Sequence, residues 1–301
     1  MKRTLLIIGC GDIALRAAPL LLPHYRLLGL CRRAEQCHQL RSHGITPVSG
    51  DLDNSRSLVK LAGMAHAVLH LAPPPEHGRR DTRTANLLAA LTKRSKTIGR
   101  MLPQQLVYIS TSGVYGDCSG ALINETHPLN PQTERAMRRV DAERQVREWG
   151  QRNRVNISIL RVPGIYAAER LPLARLREGV PALLPEEDSY TNHIHADDLA
   201  GSVLAALRHA KPGRVYHVCD DSHLKMGEYF DLVADRFGLP HPPRIARTEV
   251  DGRISPGMLS FMRESRRLTN TRMKQELHVN LRYPTVAAGI AASAAISPES
   301  G

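Results

Sequence analysis

The chain has few cysteines and few aromatic residues for its length of 301 residues. It contains five cysteines, an odd number without any Cys-x-x-Cys spacing, and aromatic residues make up 4% of the chain. Scattered cysteines of this kind indicate neither a disulfide framework nor a zinc site. We therefore expect free thiols in a reducing compartment, with the cytoplasm as the location of the protein.

Long apolar runs are also missing from the sequence. The nearest to one extends from Leu5 to Leu22, but Asp12 and Arg16 interrupt it, and no small-residue cleavage site follows. A helix that spans a bilayer needs about 20 predominantly apolar residues, and a signal peptide needs a cleavage site behind its apolar region. The sequence thus predicts neither a membrane-spanning segment nor a secretory signal peptide.

Positive charge is present in excess. The formal net charge is +12 and the pI is near 9.9. Seven basic residues cluster in one stretch of the chain: Arg79, Arg80, Arg83, Lys93, Arg94, Lys96 and Arg100. Nucleic-acid binding is one explanation, because Lys and Arg neutralise phosphates. No aromatic residue interleaves with the cluster, so bases would have no platform for stacking, and we favour a solvated basic face over a nucleic-acid partner.

A glycine turn between a strand and a helix is the most informative feature of the chain. The apolar strand Leu5–Ile8 runs into Gly9-Cys10-Gly11-Asp12-Ile13-Ala14, after which apolar residues recur with helical periodicity. A dinucleotide site needs one glycine for the tight turn, a second for close approach of the pyrophosphate, and a small third residue for helix packing. We predict that Gly9, Gly11, Asp12 and Ile13 bind a dinucleotide. An ordinary strand-to-helix turn is the alternative.

Strands and helices alternate from Met1 to about Ile165. The strand candidates are Leu5–Ile8, Tyr25–Leu30, Thr46–Ser49, Ala67–Leu71, Gln105–Ser110 and Asn156–Leu160. The helical stretches are Ile13–Leu22, Ala34–His43, Ser55–Ala62, Arg83–Arg94 and Thr133–Trp149. Pro19, inside the first of these, should kink that helix or end it early. Six strands with five crossovers predict an α/β fold, a Rossmann-type doubly wound parallel sheet, with ligands at the carboxyl ends of its strands.

The chain after Ile165 has proline-rich pieces and looser alternation. Its candidate elements are a strand at Tyr190–His195, a helix at Asp197–Arg208, a strand at Val215–Val218 and a helix at Met226–Phe237. We predict a dinucleotide-binding domain over residues 1–165, to which residues 190–220 return. Residues 166–189 and 221–301 are predicted to form a smaller C-terminal substrate-binding lobe.

Two arginines follow the second strand, about twenty residues past the glycine turn. An NAD-specific fold has an acidic residue there for the ribose 2′-hydroxyl, whereas this chain has Cys31-Arg32-Arg33. Guanidinium groups suit the 2′-phosphate of NADP. Arg32 and Arg33 therefore predict NADP as the cofactor, with NAD as the second choice. Two solvated arginines at the start of a helix are the alternative.

The third and fourth strands end in residues that could line the same site. Asp51 and Leu52 follow the third strand, and Leu71, Ala72 and Pro73 follow the fourth. A carboxylate at Asp51 can accept a hydrogen bond from an adenine amino group. The rigid apolar turn at Leu71, Ala72 and Pro73 can flank the ribose and the nicotinamide. We include all five among the candidate cofactor-binding residues.

Three further segments follow in order along the chain. They are Tyr108-Ile109-Ser110-Thr111-Ser112-Gly113-Val114-Tyr115-Gly116-Asp117, Leu160-Arg161-Val162-Pro163-Gly164-Ile165-Tyr166 and Asn192-His193-Ile194-His195-Ala196-Asp197-Asp198-Leu199. Together with the glycine turn, these segments resemble the extended short-chain dehydrogenase/reductase superfamily, the nucleotide-sugar epimerases and dehydratases. The resemblance covers nearly the whole first two hundred residues. It implies a substrate-binding hydroxyl at Thr111, with Ser112 beside it, and cofactor contacts at Ser110 and Pro163.

The chain departs from this resemblance at the catalytic pair. The superfamily's Tyr-x-x-x-Lys should fall between Pro131 and Glu143, where Arg135 stands at the Tyr position and Arg139 at the Lys position. The Tyr acts as a general acid/base because the neighbouring Lys lowers its pKa, whereas an arginine keeps its proton. Arg139 could still hold a ribose hydroxyl or an anionic group. Our candidate catalytic residues are therefore Thr111, Ser112 and Arg139.

Two histidines, His193 and His195, alternate along a strand beside Asp197 and Asp198. Alternate residues of a strand share a face, which would suit a metal ion. The resemblance already explains this strand, however, with Asp197 or Asp198 as the cap of the next helix, so we predict no metal site. Because the unperturbed pKa of His lies near neutrality, the two histidines are candidate proton donors in place of the Tyr.

The sequence leaves two functions open. The first is an NADP(H)-binding oxidoreductase of the epimerase/dehydratase type, acting on an unidentified small polar substrate such as a sugar nucleotide or a carbonyl compound. The second is a non-catalytic NADP-binding sensor or scaffold. The resemblance also implies a homodimer, or a monomer with a latent dimer surface, formed by the Arg83–Arg94 and Thr133–Trp149 helices, although like charges repel across a two-fold interface.

Overall fold

A computed structural model describes residues 2–94 and 101–294 of the chain. At its centre lies a parallel sheet of seven strands, β1 to β5 with β7 and β12. All strands, in chain order, are β1 (Arg3–Ile8), β2 (Tyr25–Cys31), β3 (Thr46–Ser49), β4 (Ala67–His70), β5 (Gln105–Thr111), β6 (Leu122–Ile123), β7 (Asn156–Val162), β8 (Gly164–Tyr166), β9 (Ala182–Leu183), β10 (Tyr190–Thr191), β11 (His193–His195), β12 (Val215–His217), β13 (Leu224–Lys225), β14 (Arg244–Ile245) and β15 (Arg267–Leu268).

The strand order of the central sheet is β12-β7-β5-β4-β1-β2-β3, and every neighbouring pair is parallel. The chain starts in the middle at β1, extends the sheet to β3 on one side, and then crosses back to extend it from β4 on the other. The order therefore reverses between β1 and β4, where a doubly wound sheet forms a crevice outside its strand ends. The predicted doubly wound α/β fold is confirmed.

The helices are α1 (Asp12–Leu21), α2 (Ala34–Ser42), α3 (Thr82–Thr92), α4 (Glu134–Asn153), α5 (Leu173–Arg177), α6 (Ala196–His209), α7 (Met226–Phe237), α8 (Pro256–Met262), α9 (Thr271–Glu276) and α10 (Val286–Ala294), with short 3₁₀ helices at Ser55–Leu61, Ser112–Tyr115, Ala168–Arg170 and Arg247–Glu249. Helix α1 runs through Pro19 and ends two residues later. Pro19 lies in the last turn, where its missing donor removes a single intrahelical bond. None of the helices in residues 2–94 and 101–294 is long and apolar enough to cross a membrane.

The two faces of the central sheet bury separate apolar cores. Leu5 and Ile7 of β1 belong to one core, and Leu6 and Ile8 belong to the other, as the alternation of side chains along a strand requires. Helices α1 and α6 cover the first core, and α3 and α4 cover the second. Because both faces are buried, the strands are nearly continuous apolar runs in the sequence.

A third core is formed by the chain from the end of β8 onward. It contains Tyr166, Leu176 and Phe230, and α7 packs there against both α5 and α10. Helix α9 lies elsewhere, because Met273 and Leu277 belong to the first core of the central sheet. The domain boundaries drawn from the sequence stay a prediction.

Two features of the strands differ from the sequence interpretation. The sheet has a seventh strand, since β12 pairs with β7. The predicted strand Tyr190–His195 is two strands: β10 pairs antiparallel with β13, and β11 pairs parallel with β8. Asn192 separates them because its side chain donates to the carbonyl of Arg266 and accepts from the N–H of Leu268, at 2.9 Å each. These partners are more than seventy residues away, so no local pattern could indicate the break.

Candidate functional site

A cavity of about 410 Å³ opens at the carboxyl ends of the strands, across the point where the strand order reverses. The loops after β1, β2, β3 and β4 contribute one part of its lining, and β5, α4, β8 and α6 contribute to the other. The lining residues are Gly9, Cys10, Gly11, Asp12, Ile13, Ala14, Leu30, Arg32, Gln36, Gly50, Asp51, Leu52, Leu71, Ala72, Pro73, Arg83, Ile109, Arg139, Ile165, Arg170 and Leu199. The volume is within the usual range for small-molecule sites, about 300–1,000 Å³.

The two glycines of the turn after β1 are needed for different reasons. Gly9 has a φ of +91°, and a Cβ there would lie 2.4 Å from the backbone N of Ala72. The fold itself therefore requires glycine at this position. Gly11 has an ordinary φ of −90°, and a Cβ there would meet no atom within 4 Å. Nothing in the described part of the chain requires glycine at Gly11, whereas a ligand close to the backbone would.

The cavity brings together most of the residues that the sequence predicts to bind a cofactor. Those that line it are Gly9, Gly11, Asp12, Ile13, Arg32, Asp51, Leu52, Leu71, Ala72 and Pro73, together with the candidate catalytic residue Arg139. The lining does not include Arg33, Ser110, Pro163, Thr111 or Ser112. Ser110 and Ser112 are buried, and Pro163 lies between β7 and β8. The roles of these five residues stay predictions.

Arg32 and Arg33 occupy the turn between β2 and α2. Arg32 lines the cavity, and Arg33 is the N-cap residue of α2. Both side chains are exposed, and residues 2–94 and 101–294 provide no hydrogen-bond partner for either guanidinium. The backbone N–H of Arg32 donates to Gln36 Oε1 over 3.4 Å. Two guanidinium groups beside the cavity are thus available to an anion.

The expectation that all five cysteines are free thiols is wrong. Cys31 and Cys37 form a disulfide, with their Cα atoms 6.1 Å apart, a separation in the usual range for disulfides. The bridge joins the end of β2 to α2 and closes the loop that carries Arg32 and Gln36. The spacing in sequence could not indicate it, because the pairing depends on how the strand leads into the helix. Cys10, Cys118 and Cys219 are free.

One arginine of the basic cluster faces an acidic residue near the cavity. Arg83 Nε and Nη2 donate to the two carboxylate oxygens of Asp53, at 2.8 and 2.7 Å, and these hydrogen bonds lower the pKa of Asp53. Arg83 also lines the cavity, so the interpretation of the whole cluster as a solvated face is wrong for this residue. Lys96 and Arg100 of the same cluster lie outside the described residues.

Two arginines of α4 occupy the positions that the resemblance assigns to the catalytic pair. Arg139 lines the cavity, and its Nη1 donates to the Tyr108 hydroxyl at 3.0 Å and to the Ile109 carbonyl at 2.9 Å. Its other nitrogens have no hydrogen-bond partner in the described residues. Arg135 lies with its guanidinium carbon 4.1 Å from the ring centroid of Phe261 in α8. Arg139 thus brings its charge to the cavity, while Arg135 stacks against a neighbouring helix.

Three hydroxyl residues follow one another at the end of β5. Thr111 Oγ1 accepts from the N–H of Gly113 over 3.2 Å and caps the 3₁₀ helix Ser112–Tyr115. This bond uses a lone pair of the oxygen, so the hydroxyl proton of Thr111 stays available to donate. Ser110 Oγ is buried and has no hydrogen-bond partner in the described residues. A buried hydroxyl without a partner costs roughly 1–3 kcal/mol, so Ser110 retains the capacity to bind a ligand or a water.

His193 and His195 lie outside the lining of the cavity. His193 stacks on Tyr229 with ring centroids 4.4 Å apart, and burial lowers its pKa to about 4. His195 packs against Tyr283 with centroids 4.1 Å apart, and burial lowers its pKa also. Both rings show edge-on contact with Tyr166, as side chains on one face of a strand should. Their surroundings favour packing over proton transfer into the cavity.

The cap of α6 differs from the prediction. His195 Nδ1 accepts from the N–H of Asp197 at 3.2 Å and caps the helix, so the assignment of Asp197 or Asp198 as the cap is wrong. Both aspartates lie in the first turn, and the Asp198 carboxylate accepts instead from the N–H groups of Arg282 and Tyr283. Within residues 2–94 and 101–294 there is no group of three or more side chains that could hold a metal ion.

Several residues of the cavity are not among the predicted site residues. Ile109, Ile165 and Leu199 lie in the segments that carry the resemblance, Arg83 lies in the basic cluster, and Gln36 and Arg170 had no signal in the sequence. Arg170 follows β8 in a 3₁₀ helix, and its Nη2 donates to Asp12 Oδ2 at 2.8 Å. Arg16 Nε also donates to the Asp12 carboxylate, at 2.9 and 3.0 Å. Arg170 and Asp12 are 158 residues apart in the chain, so their contact exists only in the folded protein.

Comparisons with known proteins identify the family of the chain. The NAD dependent epimerase/dehydratase family matches residues 14–219, more than half of the chain. Protein YeeZ of Escherichia coli (strain K12) is 29% identical over 139 residues, 46% of this chain and 48% of its own length. GDP-6-deoxy-D-mannose reductase of Pseudomonas aeruginosa is 30% identical over 192 residues, 56% of this chain and 62% of its own length. The chain therefore spans about half to three fifths of these relatives.

Solved structures share the fold over nearly the whole chain. A functionally unknown conserved protein from Silicibacter pomeroyi DSS has a TM-score of 0.80 at 29% identity, with 98% of this chain and 99% of that chain covered. UDP-glucuronic acid 4-epimerase from Bacillus cereus, in complex with NAD, has a TM-score of 0.74 at 18% identity, with 96% of each chain covered. At that identity the second likeness concerns the fold alone.

Proposed function

The chain belongs to the NAD dependent epimerase/dehydratase family, and from that premise we propose that it is an NADP(H)-binding oxidoreductase. In this proposal the cofactor lies along the cavity at the strand ends, with its pyrophosphate at the glycine turn. The substrate is a small polar molecule, such as a sugar nucleotide or a carbonyl compound, bound between the cavity and the part of the chain after β8.

The observation that carries the proposal is the contrast between Gly9 and Gly11. The packing of Ala72 against the turn accounts for glycine at Gly9, but the open space beside Gly11 has no such explanation within the described residues. A bound pyrophosphate would account for it, since the second glycine of such a turn lets the phosphates approach the backbone. The free N–H groups at the start of α1 would then face negative charge.

The choice of NADP over NAD rests on Arg32 and Arg33. These residues follow β2, where an NAD-specific fold has a carboxylate for the ribose 2′-hydroxyl, and their guanidiniums have no competing hydrogen bonds among the described residues. Asp51, in the loop after β3, is proposed to accept from the adenine amino group. Ser110 and Pro163 are retained as proposed cofactor contacts near the nicotinamide.

The chemistry would take place at the end of the cavity that Arg139 lines. The cofactor supplies reversible two-electron oxidation and reduction there, while Arg139 holds a ribose hydroxyl or an anionic group of the substrate. Thr111, with Ser112 beside it, donates a hydrogen bond to the substrate. The described lining includes neither Tyr nor His, so in this proposal water supplies the proton that the substrate gains together with the hydride. We expect slow turnover, because a missing general acid typically lowers the rate by about 10²–10⁴-fold.

The composition of the same lining favours a second function, that of a non-catalytic NADP sensor. A site whose lining has neither Tyr nor His can bind a dinucleotide and still lack a general acid. In that case Arg135 and Arg139 serve packing and cofactor binding alone. Binding of NADP would then control a partner instead of a reaction.

A titration followed by a turnover assay separates the two functions. NADPH and NADH are titrated by calorimetry, and NADPH consumption is then followed on a panel of carbonyl compounds and sugar nucleotides. Steady consumption with any substrate supports the oxidoreductase. Tight binding of NADPH without turnover on the whole panel supports the sensor. If neither NADPH nor NADH bound, both functions would be overturned.

We also propose the cytoplasm as the location and a homodimer through α3 and α4 as the assembly. The single local bridge between Cys31 and Cys37 is not a disulfide framework, and the other three cysteines are free. Sedimentation at low and at high salt tests the dimer, since salt screens the like charges on the two helices. A monomer at high salt would contradict it.

A further inference from the structure

Arg170 brings a positive charge from the beginning of the C-terminal part of the chain to the glycine turn. We propose that Arg170 binds the pyrophosphate of the dinucleotide, and that it exchanges its ion pair with Asp12 for a phosphate oxygen when it does so. The inference rests on the proposed function, because it requires a dinucleotide in the cavity.

Four arginines line the cavity, and their partners distinguish Arg170 from the rest. Arg83 is bound through two nitrogens to Asp53, and Arg139 is bound to residues of β5. Arg32 follows β2, at the adenosine end. Arg170 contacts the glycine turn itself, through one hydrogen bond of 2.8 Å from Nη2 to Asp12. Its Nε and Nη1 have no hydrogen-bond partner in the described residues, so a single hydrogen bond holds the guanidinium on Asp12. Once that bond is exchanged, two nitrogens of the guanidinium can bind the phosphate.

Asp12 would stay paired if Arg170 moved to a phosphate. Arg16 Nε donates to both oxygens of the Asp12 carboxylate, at 2.9 and 3.0 Å. The same guanidinium contacts Asp197 through Nη1, at 2.7 Å, and Glu169 through Nη2. Arg16 is thus held from three sides and cannot turn into the cavity without leaving carboxylates unpaired. Arg170 is the arginine of this cluster that is free to change partners.

The charge of the cluster explains why a cation is needed at this position. Asp12, Glu169 and Asp197 carry three negative charges, against two positive charges on Arg16 and Arg170. A pyrophosphate at the start of α1 would add further negative charge beside Asp12. The N–H groups at the start of the helix offset part of this repulsion, and a direct bond from Arg170 to the phosphate would offset more.

The exchange would also connect the cofactor to the region proposed to bind substrate. Arg170 ends the 3₁₀ helix that separates Tyr166 from Leu171, and both of these residues belong to the third apolar core. A phosphate bond from Arg170 would therefore restrain the start of this region when the dinucleotide is present. We expect backbone amides of residues 167–171 to exchange hydrogen more slowly with ADP-ribose bound.

The test uses probes that contain or lack the pyrophosphate. Affinities of NADPH, NADH, ADP-ribose and adenosine 2′-phosphate are measured by calorimetry for the wild-type protein, Arg170→Gln and the matched control Arg177→Gln. Arg177 is exposed on α5 and does not line the cavity. We expect Arg170→Gln to weaken the three pyrophosphate-containing probes about 10- to 100-fold, the range for a hydrogen bond between charged groups, and to leave adenosine 2′-phosphate unchanged. Arg177→Gln should change none of the four.

The opposite pattern is expected for Arg32→Ala, which should weaken NADPH and adenosine 2′-phosphate and spare NADH and ADP-ribose. Unchanged dinucleotide affinity in Arg170→Gln would overturn the inference, as would an equal loss for adenosine 2′-phosphate. Equal slowing of amide exchange at residues 167–171 in Arg170→Gln and the wild type would also count against it. If the wild-type protein bound no dinucleotide, the proposed function would fail first, so the two failures are distinguishable.

Discussion

The two ends of the cavity are built in different ways. The end formed by the loops after β1, β2 and β3 is called the adenosine end, because the proposal places the adenosine there, and its shape depends mainly on backbone geometry. The end formed by Ile109, Arg139, Ile165 and Leu199 is called the reaction end, because the proposal places the reaction there, and it collects side chains from four elements that are far apart in sequence. The adenosine end retains the glycine turn but has Arg32 where an NAD-specific pattern has an acidic residue. The reaction end has Arg139 where the resemblance requires a Lys.

The difference shows which part of such a site tolerates change. The glycine turn is held by the packing of Gly9 against Ala72, so a larger residue there would disturb the sheet. The reaction end is not constrained by backbone contact in this way. Arg135 is exposed on α4 and stacks on Phe261, and Arg139 is half-buried and contacts β5 through its side chain alone. Side chains can therefore change there while the fold stays the same, and the fold alone does not decide the reaction.

The largest effect is expected from alanine at the two glycines. Gly9→Ala should lower the free energy of unfolding by roughly 3 kcal/mol or more, because it combines overpacking against Ala72 with a strained positive φ. Gly11→Ala should leave the stability nearly unchanged and weaken NADPH binding. Thermal unfolding and calorimetric titration measure the two quantities. Equal destabilisation by both substitutions would contradict the argument that the fold requires Gly9 whereas a ligand requires Gly11.

Restoring the catalytic pair tests the reaction end. Arg135→Tyr combined with Arg139→Lys should raise NADPH turnover by about 10²–10⁴-fold on any substrate that the wild-type protein reduces, since a Tyr beside a Lys can transfer a proton. The affinity for NADPH should stay within a few-fold. Arg135→Phe with Arg139→Lys serves as the control without a phenol. A rate gain in the control as large as in the restored pair would contradict the proton-transfer argument.

Removal of the arginines after β2 should change the cofactor preference. Arg32→Ala with Arg33→Ala should weaken NADPH by about 10- to 100-fold, because each lost charged hydrogen bond is worth about 1.5–3 kcal/mol, and should leave NADH nearly unchanged. Calorimetry with both cofactors measures the ratio. An equal loss of affinity for NADPH and NADH would show that these arginines support the loop and do not bind the 2′-phosphate.

The smallest effect concerns His193, which lies outside the cavity. Its pKa is about 4 when folded and near 6.5 when unfolded, so the unfolded chain takes up a proton between these values. Burial of the neutral ring therefore contributes fully to the free energy of unfolding above pH 6.5, and this contribution is lost as the pH falls toward 4. Phe cannot take up a proton, so His193→Phe removes this loss. The free energy of unfolding of the variant, minus that of the wild type, should therefore rise by about 2 kcal/mol as the pH falls from 7 to 5. Denaturant titrations of the two proteins at each pH measure these free energies. Subtracting one from the other cancels the contributions of the titrating groups that both proteins share.

The same variant tests the alternative role of His193. We expect His193→Phe to bind NADPH normally and to keep any turnover of the wild-type protein. A selective loss of turnover, with cofactor affinity unchanged, would identify His193 as the proton donor. The reaction end would then have a general acid after all, and the contrast between the two ends of the cavity would not hold.

The sequence by itself determined the parts of this protein that depend on short stretches of chain. The alternation of apolar runs and helical periodicity predicted the doubly wound sheet, and the spacing of Gly9 and Gly11 predicted where its ligand site begins. The fold prediction is confirmed, because φ/ψ restrictions and apolar runs that are buried on both faces of a sheet are written into short stretches of chain. The ligand at the glycine turn stays a prediction. The motifs around Thr111, Pro163 and Leu199 indicated the family through residues that follow strand ends in a set order.

Only the tertiary structure decided which side chains meet. The pairing of Arg170 with Asp12, the ion pair of Arg83 with Asp53 and the burial of His193 against Tyr229 each join elements that are distant in the chain. An arginine in the sequence has the same charge whether it is solvated or points into a cavity. Which of these it does depends on the crossing of the strands that brings its partner within about 3 Å, the range of a hydrogen bond.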